Sequence, residues 1–136
     1  MMDHELKQAL ETRFDRLKAG EDVWGALAEA GVLGLPFAEA HGGLGLPLST
    51  GFAVMEVLGA RGLAVPYLET VLLAGTLLDR IGGVQAAAVL PRVVAGEMRL
   101  AFGVLDGPDP LWATRAGDGW RLDGGKQLVI GCADAD

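Results

Sequence analysis

Residues 24–70 read WGALAEAGVLGLPFAEAHGGLGLPLSTGFAVMEVLGARGLAVPYLET, and most of the information about the fold lies in this stretch. Glycine and proline interrupt its middle too often for regular structure, so that part is predicted to be a loop. Apolar residues on both sides of the loop recur at helical spacing. We expect one helix from near Asp22 to a stop at Gly31, and another that Ser49 or Thr50 caps.

Three more helices are predicted outside the loop and its two flanking helices. The first carries a narrow apolar stripe at helical spacing. This stripe consists of Leu6, Leu10, Phe14 and Leu17. A helix over 67–81 follows Pro66, which the first turn of a helix accepts, and ends at Gly82. The last helix, over 84–95, must kink or split at Pro91, because proline lacks the N–H that a helix interior requires.

Beyond Gly96 the pattern changes to short apolar runs separated by turns, which is typical of β-strands. The predicted strands are 99–105, 112–116, 120–122 and 127–130. The last two are expected to form a hairpin around the turn at 123–125. The predicted fold class is mainly α with a C-terminal β portion, helices first and strands afterwards. We expect an all-helical domain at 1–97 and the start of an incomplete β domain at 98–136.

Charge and composition exclude several classes of function. Eighteen acidic and eleven basic side chains give a net charge of −7, and lysine and arginine do not cluster, so nucleic acid is an unexpected partner. The uncharged stretches are too short to span a bilayer, which needs about 20 apolar residues. The first residues resemble neither a secretory signal nor a transit peptide, and a cytoplasmic location is expected. The lone Cys132 is expected in the core, and no Cys/His grouping indicates a metal site.

The ordered motifs of the chain carry a family resemblance. The opening stretch is followed by LPRVVAGEM and then by DGW and LDGGKQLVIG. Together these resemble the acyl-CoA dehydrogenase family over almost the whole chain, with the LGLP, GGLGL, LP-x-x-x-x-G-E and G-x-K elements in the family's order. The resemblance implies a three-part enzyme with a helical domain, a β domain and a helical bundle. It also implies that FAD oxidises an acyl-CoA thioester to the 2,3-enoyl-CoA, and that the catalytic base lies in the bundle, with no catalytic residue in this chain.

The resemblance also implies which residues contact FAD, and both flavin signatures are altered here. The family's Thr-Glu-Pro has its nearest match at 104–108, with Asp106 where Thr is expected, and the glycine-rich turn after it is shortened. The family's Trp-Ile-Thr is replaced by Leu-Val-Ile. The implied cofactor-binding residues are Val104, Leu105, Asp106, Leu128, Val129 and Ile130. An aspartate at 106 would repel a phosphate, and the apolar replacements remove a hydroxyl that bonds to flavin.

Other side chains are weighed against plainer interpretations. The family's third and fourth helices border the fatty-acyl cavity, so Phe52, Met55 and Tyr67 are candidates for lining it. Tyr67 is otherwise explained as a core residue with its polar tip at the edge. His41 has no evident acidic partner and is expected to be an ordinary loop histidine, while Asp79 is expected at a solvated helix end.

Several functions remain open at this stage. The leading hypothesis is an FAD-dependent acyl-CoA dehydrogenase with an acyl-CoA substrate and with itself or a homologous subunit as oligomeric partner. The second is a non-catalytic, FAD-poor structural subunit of a heteromeric dehydrogenase. A flavin monooxygenase or oxidase of the same fold is the third, because the site and not the fold determines the reaction. A five-helix interaction module fused to a few strands is the fourth.

Overall fold

The computed structural model describes residues 2–16 and 20–136. Its regular elements are α1 (Met2–Phe14), α2 (Val23–Glu29), α3 (Leu48–Ala60), a π-helix (Leu68–Gly75) that continues into α4 (Thr76–Ile81), α5 (Gly83–Val94), β1 (Trp112–Ala116) and β2 (Gly119–Asp123). The predicted fold class is confirmed: helices come first, and a small antiparallel sheet follows. Within the described part of the chain, no helix is both long and apolar enough to cross a membrane.

The first helix forms as its apolar stripe predicts. Leu10 and Phe14 are buried, while Leu17 lies outside the described residues. The helix packs against α3, and an ion pair between Asp15 and Arg61 (2.8 Å) ties the chain after α1 to the end of α3. The apolar stripe of α1 therefore faces the core, and charged side chains pair at the edge of the contact between α1 and α3.

Helix α2 begins as predicted, because the Asp22 carboxylate accepts a hydrogen bond from the N–H of Trp24 at 3.1 Å. The cap predicted for α3 is wrong. This helix begins at Leu48, and the Thr50 hydroxyl donates to the carbonyl of Pro47 at 2.7 Å instead of capping an N–H. The loop between the two helices is also more regular than expected, since it contains 3₁₀ turns at Val32–Gly34 and Glu39–His41.

The predicted helix over 67–81 is present, but its first half is wound as a π-helix. Gly82 ends it with φ +69°, a positive value that glycine adopts without strain. Pro91 does not split α5, which is continuous from Gly83 to Val94. Leu90 and Val93, on either side of Pro91, are fully buried, so packing holds the helix together there.

The strand predictions are partly wrong. Strands at 112–116 and 119–123 are present, and they pair with each other in an antiparallel hairpin from Trp112↔Asp123 to Ala116↔Gly119. The expected strands 99–105 and 127–130 do not form, so the predicted hairpin has the wrong partner. An isolated bridge forms instead between Asp106, just after the first segment, and Lys126, just before the second.

One hydrophobic core joins the helices and the loop between α2 and α3. Its fully buried side chains include Leu27, Leu33, Phe37, Val54, Tyr67, Val71, Leu90 and Val93. Gly75 makes room for Phe37, because a Cβ there would lie 2.4 Å from the end of the Phe37 ring. Cys132 is exposed, so its expected place in the core is wrong. The hairpin adds nothing to the core, since every residue of both strands is exposed.

Candidate functional site

The two segments expected to contact a cofactor lie side by side. The N–H of Gln127 donates to the carbonyl of Leu105 at 2.9 Å. The Lys126 ammonium reaches the Asp106 carboxylate at 2.6 Å and the carbonyl of Val104 at 3.3 Å. Three hydrogen bonds therefore join two segments that lie about twenty residues apart in the chain. The six residues predicted to contact the cofactor lie on these two adjacent segments.

Glycines allow these segments to approach. Gly124 has φ +107°, and a Cβ built there would lie 2.1 Å from the carbonyl oxygen of Pro110. The next residue, Gly125, donates to the carbonyl of Asp109 and accepts from the N–H of Gly107, both at 2.9 Å. Gly124 is therefore required for backbone proximity here, and not for the hairpin turn that the sequence suggested.

An exposed apolar patch surrounds this junction. Val104 is 63% exposed, Leu128 78% and Ile130 70%. Leu128 also has φ +52°, a left-handed conformation that is uncommon for leucine. Such strain persists only where the surrounding structure imposes it, and it often marks a functional position. Val129 is half-buried beside Gly103, where a Cβ would lie 3.3 Å from it.

The charge of Asp106 is compensated. The hydrogen bond from Lys126 holds the pKa of the Asp106 carboxyl below its usual range, with a smaller contribution from the N–H of Leu111. Both side chains are partly exposed, so water screens the pair and its contribution to stability is small. An anion near Asp106 would therefore meet a Lys126–Asp106 pair with no net charge, and not an isolated carboxylate.

The three candidate acyl-pocket residues are not brought together in one place. Phe52 is 53% exposed on α3, and Met55 is half-buried against the core. Tyr67 is completely buried, and its hydroxyl donates to the carbonyl of Val32 at 2.9 Å. The polar tip of Tyr67 is therefore not at an edge, and its burial argues against direct contact with an acyl chain.

The sequence did not reveal a hydrogen-bonded contact between His41 and Asp79. Nδ1 of His41 lies 2.6 Å from the Asp79 carboxylate, which also accepts from the N–H of Ala38 at 3.1 Å. Each side chain is only about one-sixth exposed, so Asp79 does not mark a solvated helix end as expected. The pair fastens the Glu39–His41 turn to α4. The two residues are far apart in the chain, and no local pattern could have linked them.

A cleft lies beside the apolar patch. Val65, Pro66, Glu69, Ile130 and Asp134 line a space of about 290 Å³ between the start of the π-helix and the last described residues. A separate apolar groove of about 420 Å³ is bordered by residues of α4 and of the extended segment before the patch. Its main apolar lining residues are Leu77, Leu78, Ile81, Leu100 and Phe102. Nowhere in residues 2–16 and 20–136 do three or more His, Cys, Asp or Glu side chains converge as a metal site would require.

Comparison with known proteins places these features in context. The sequence of residues 1–97 matches the family model for the N-terminal domain of acyl-CoA dehydrogenases. The acyl-CoA dehydrogenase FadE27 of Mycobacterium tuberculosis (strain ATCC 25618 / H37Rv) is 36% identical over 131 residues, which cover 88% of this chain and 32% of that protein.

Two solved structures resemble the whole described fold. A chain of the ChsE4–ChsE5 complex from Mycobacterium tuberculosis superposes with a TM-score of 0.83 at 29% identity. A chain of a variant of the Tcur3481–Tcur3483 steroid ACAD superposes with a TM-score of 0.79 at 30% identity. Each alignment covers 98% of this chain and 42% of the other. The chain therefore spans about a third of FadE27 and less than half of these structural relatives.

Proposed function

This chain belongs to the acyl-CoA dehydrogenase family, and on that premise we propose that it forms part of an FAD-dependent enzyme that oxidises an acyl-CoA thioester to the 2,3-enoyl-CoA. The observation that carries the proposal is the junction of Lys126 and Gln127 with Val104, Leu105 and Asp106. It assembles both proposed flavin-contact segments at one exposed surface. The boundary near residue 97 between a helical and a β domain, and a cytoplasmic location, stay predictions.

Two features of the junction favour a flavin. Leu128 and Ile130 present exposed apolar surface that a planar ring can cover, and burying such surface is favourable by about 25 cal/mol per Å². The Lys126–Asp106 pair removes the bare negative charge that would repel a phosphate. Bound FAD would supply the hydride-accepting chemistry, while residues of this chain would hold and orient its ring. No residue of this chain is assigned as the catalytic base.

The same residues favour a second function, an FAD-poor structural subunit. Leu128, Val129 and Ile130 carry no hydroxyl to hydrogen-bond a flavin, so the site lacks the polar handle of the family motif. The two structural relatives are complexes whose names join two proteins. We propose a homologous subunit, or a second copy, as the partner of this chain under either function.

Flavin binding separates the two functions. We expect the whole enzyme of which this chain forms part to retain FAD after purification, with the visible absorbance of bound flavin at about 450 nm. The Leu128→Asp variant should lose that absorbance, because it places a charge against the ring, while aspartate tolerates the left-handed backbone better than leucine does. Leu44→Asp is the matched control, since Leu44 is 56% exposed and lies outside the junction.

Each outcome has a clear meaning. Flavin retained by the unaltered protein and by Leu44→Asp, but lost from Leu128→Asp, supports the dehydrogenase proposal and the assigned surface. Equal retention by both variants contradicts the assigned surface. A colourless unaltered protein that takes up no added FAD contradicts the dehydrogenase proposal and favours the structural subunit.

A further inference from the structure

Thr70 of the π-helix is hydrogen-bonded to the extended segment that leads into the proposed flavin surface. Its hydroxyl donates to the carbonyl of Leu100 at 2.9 Å and accepts from the N–H of the same residue at 3.0 Å. A hydroxyl can both donate and accept, so one side chain satisfies both backbone groups of Leu100. Paired residues of antiparallel strands exchange two bonds of this kind. Thr70 therefore takes the place of a neighbouring strand at Leu100.

This contact lies where the chain has no strand partner. Residues 98–105 are extended, and within the described chain they do not belong to the sheet. Leu100 lies four residues before Val104, where the proposed flavin contacts begin. An extended chain covers at most about 14 Å over this interval. Few residues are therefore available to absorb a displacement of Leu100 before it reaches Val104.

The second segment of the flavin surface lies against the same end of the π-helix. Gly131 follows Ile130 directly and has φ +77°. A Cβ on Gly131 would lie 3.7 Å from the Cβ of Pro66 and 3.7 Å from Cγ of Glu69, the residue before Thr70. These are ordinary van der Waals distances, so the backbone at Gly131 rests on this turn. The start of the π-helix thus supports both segments that would contact FAD.

The hydroxyl of Thr70 differs in its use from that of Thr50, which is also buried. The Thr50 hydroxyl donates to the carbonyl of Pro47, three residues earlier, so its bond stays at the end of its own helix. The bonds of Thr70 cross thirty residues of chain to reach Leu100. Wide π-turns are frequent at functional sites, and this one aims a buried hydroxyl at the segment before the proposed site.

We propose that Thr70 is a positioning residue for the proposed flavin surface. By holding Leu100, it sets the separation of residues 104–106 from residues 128–130, and so the shape of the surface that a ligand covers. Thr70 is completely buried and acts through Leu100, without touching the ligand. That the ligand is FAD rests on the proposed function.

The test compares three variants of the whole enzyme of which this chain forms part. Thr70→Val keeps the shape of the side chain and removes the hydroxyl, whereas Thr70→Ser keeps the hydroxyl. Thr50→Val is the matched control, because it removes a buried hydroxyl that bonds neither flavin segment. Hydrogen–deuterium exchange of the flavin-free proteins, followed by mass spectrometry, measures the protection of residues 98–106. Titration with FAD, followed by flavin fluorescence, measures the Kd.

The expected results separate positioning from stability. Thr70→Val should speed the exchange of residues 98–106 by at least about tenfold, because the N–H of Leu100 loses its acceptor. It should also weaken FAD binding by about tenfold, while the exchange of α3 stays unchanged. Thr70→Ser should behave as the unaltered enzyme does. Thr50→Val should alter neither the exchange of 98–106 nor the Kd for FAD.

Four outcomes overturn the proposal. Unchanged exchange of residues 98–106 in Thr70→Val removes the anchor, and faster exchange with an unchanged Kd removes its role in positioning. Equal weakening of FAD binding by Thr50→Val, or by Thr70→Ser, assigns the effect to something other than the Thr70 hydroxyl. If Thr70→Val does not fold, Thr70→Ala takes its place, because the smaller side chain leaves room for a water beside Leu100.

The flavin-free exchange measurement also distinguishes this proposal from the proposed function. An unaltered enzyme that takes up no FAD contradicts the dehydrogenase function. Faster exchange of residues 98–106 in Thr70→Val, but not in Thr50→Val, would then leave the Thr70 anchor standing.

Discussion

Tyr67 shows how one buried side chain links the helices at the residue scale. It is the single tyrosine of the chain, and its hydroxyl satisfies a carbonyl of the loop after α2. Burial raises the pKa of Tyr67 well above its ordinary value, because the phenolate would lose its hydration. The proton must therefore stay on the hydroxyl as long as the fold is intact.

We expect the phenolate absorbance of Tyr67 to appear only as the protein unfolds at high pH. In the unfolded chain the phenol ionises near pH 10, so the unfolded state loses its proton first. The free energy of unfolding is therefore unaffected by this group below about pH 10, and above it falls by up to about 1.4 kcal/mol per pH unit. Absorbance and far-UV circular dichroism, recorded over the same titration, check this.

The matched variant is Tyr67→Phe. It should lose about 1 kcal/mol of stability at neutral pH, because the carbonyl of Val32 is left without its donor. Its stability should no longer carry the tyrosine-dependent fall above pH 10. A phenolate signal that rises near pH 10 while the circular dichroism is unchanged would contradict the buried position of Tyr67.

Several residues could not be recognised from the sequence, each for a physical reason. His41 and Asp79 meet across two elements, and neither lies in a pattern that names the other. The six flavin-contact candidates came from family resemblance, and Leu128 differs from its neighbours in a backbone angle that sequence does not display. Nε of Arg99 is buried without an acceptor among the described residues, which only the three-dimensional packing reveals.

At the scale of elements, helices were predictable because their signal is local. Apolar spacing and the Asp22 cap located α1 and α2, and Gly82 located the end of α4. The π-helix was not predictable, because its wider turns need tertiary support that periodicity does not describe. Part of this support comes from Thr70, whose hydroxyl donates to the carbonyl of Leu100 at 2.9 Å and accepts from its N–H at 3.0 Å.

Strand pairing was harder to predict for a related reason. The segments 99–105 and 127–130 have strand-like composition, yet pairing depends on a partner brought in by the fold. The Gly124–Gly125 bend returns the chain next to Asp109 and not along β2. The strand at 119–123 therefore pairs with the strand before it, at 112–116, and not with the segment after it. The Gly117–Asp118 turn sets the register of this pair.

Two glycines of α3 give a matched test of helix packing. Gly51 faces the π-helix, and a Cβ there would lie 2.3 Å from Cδ2 of Leu72, whereas Gly59 has open space around it. We expect Gly59→Ala to stabilise the protein by about 0.5–1 kcal/mol, because alanine loses less backbone entropy on folding. Gly51→Ala should destabilise it by about 1–3 kcal/mol through overpacking.

Urea denaturation of the two variants beside the unaltered protein measures both effects. Each serves as the control for the other, because the chemical change and the helix are the same. If Gly51→Ala were as stable as Gly59→Ala, the close contact between α3 and the π-helix would be incorrect.

At the scale of the whole molecule, the helical core and the hairpin should differ in stability. Val54 and Val57 of α3, with Val71 of the π-helix, are buried in the common core. The hairpin contributes no buried side chain, and Trp112 and Trp120 are 70% and 63% exposed. An isolated two-stranded hairpin is at best marginally stable in water, because it lacks a packed face.

Amide hydrogen exchange should therefore divide the chain into two classes. We expect the paired amides of β1 and β2 to exchange at least about tenfold faster than those of α3 and the π-helix, because they open without unfolding the core. The measurement is exchange at neutral pH followed residue by residue. A partner that covers the hairpin should slow its exchange and leave α3 unchanged, so the same experiment locates the contact. Equal protection in hairpin and core without any partner would show that the hairpin belongs to the same cooperative unit, contrary to the exposure of all ten of its strand residues.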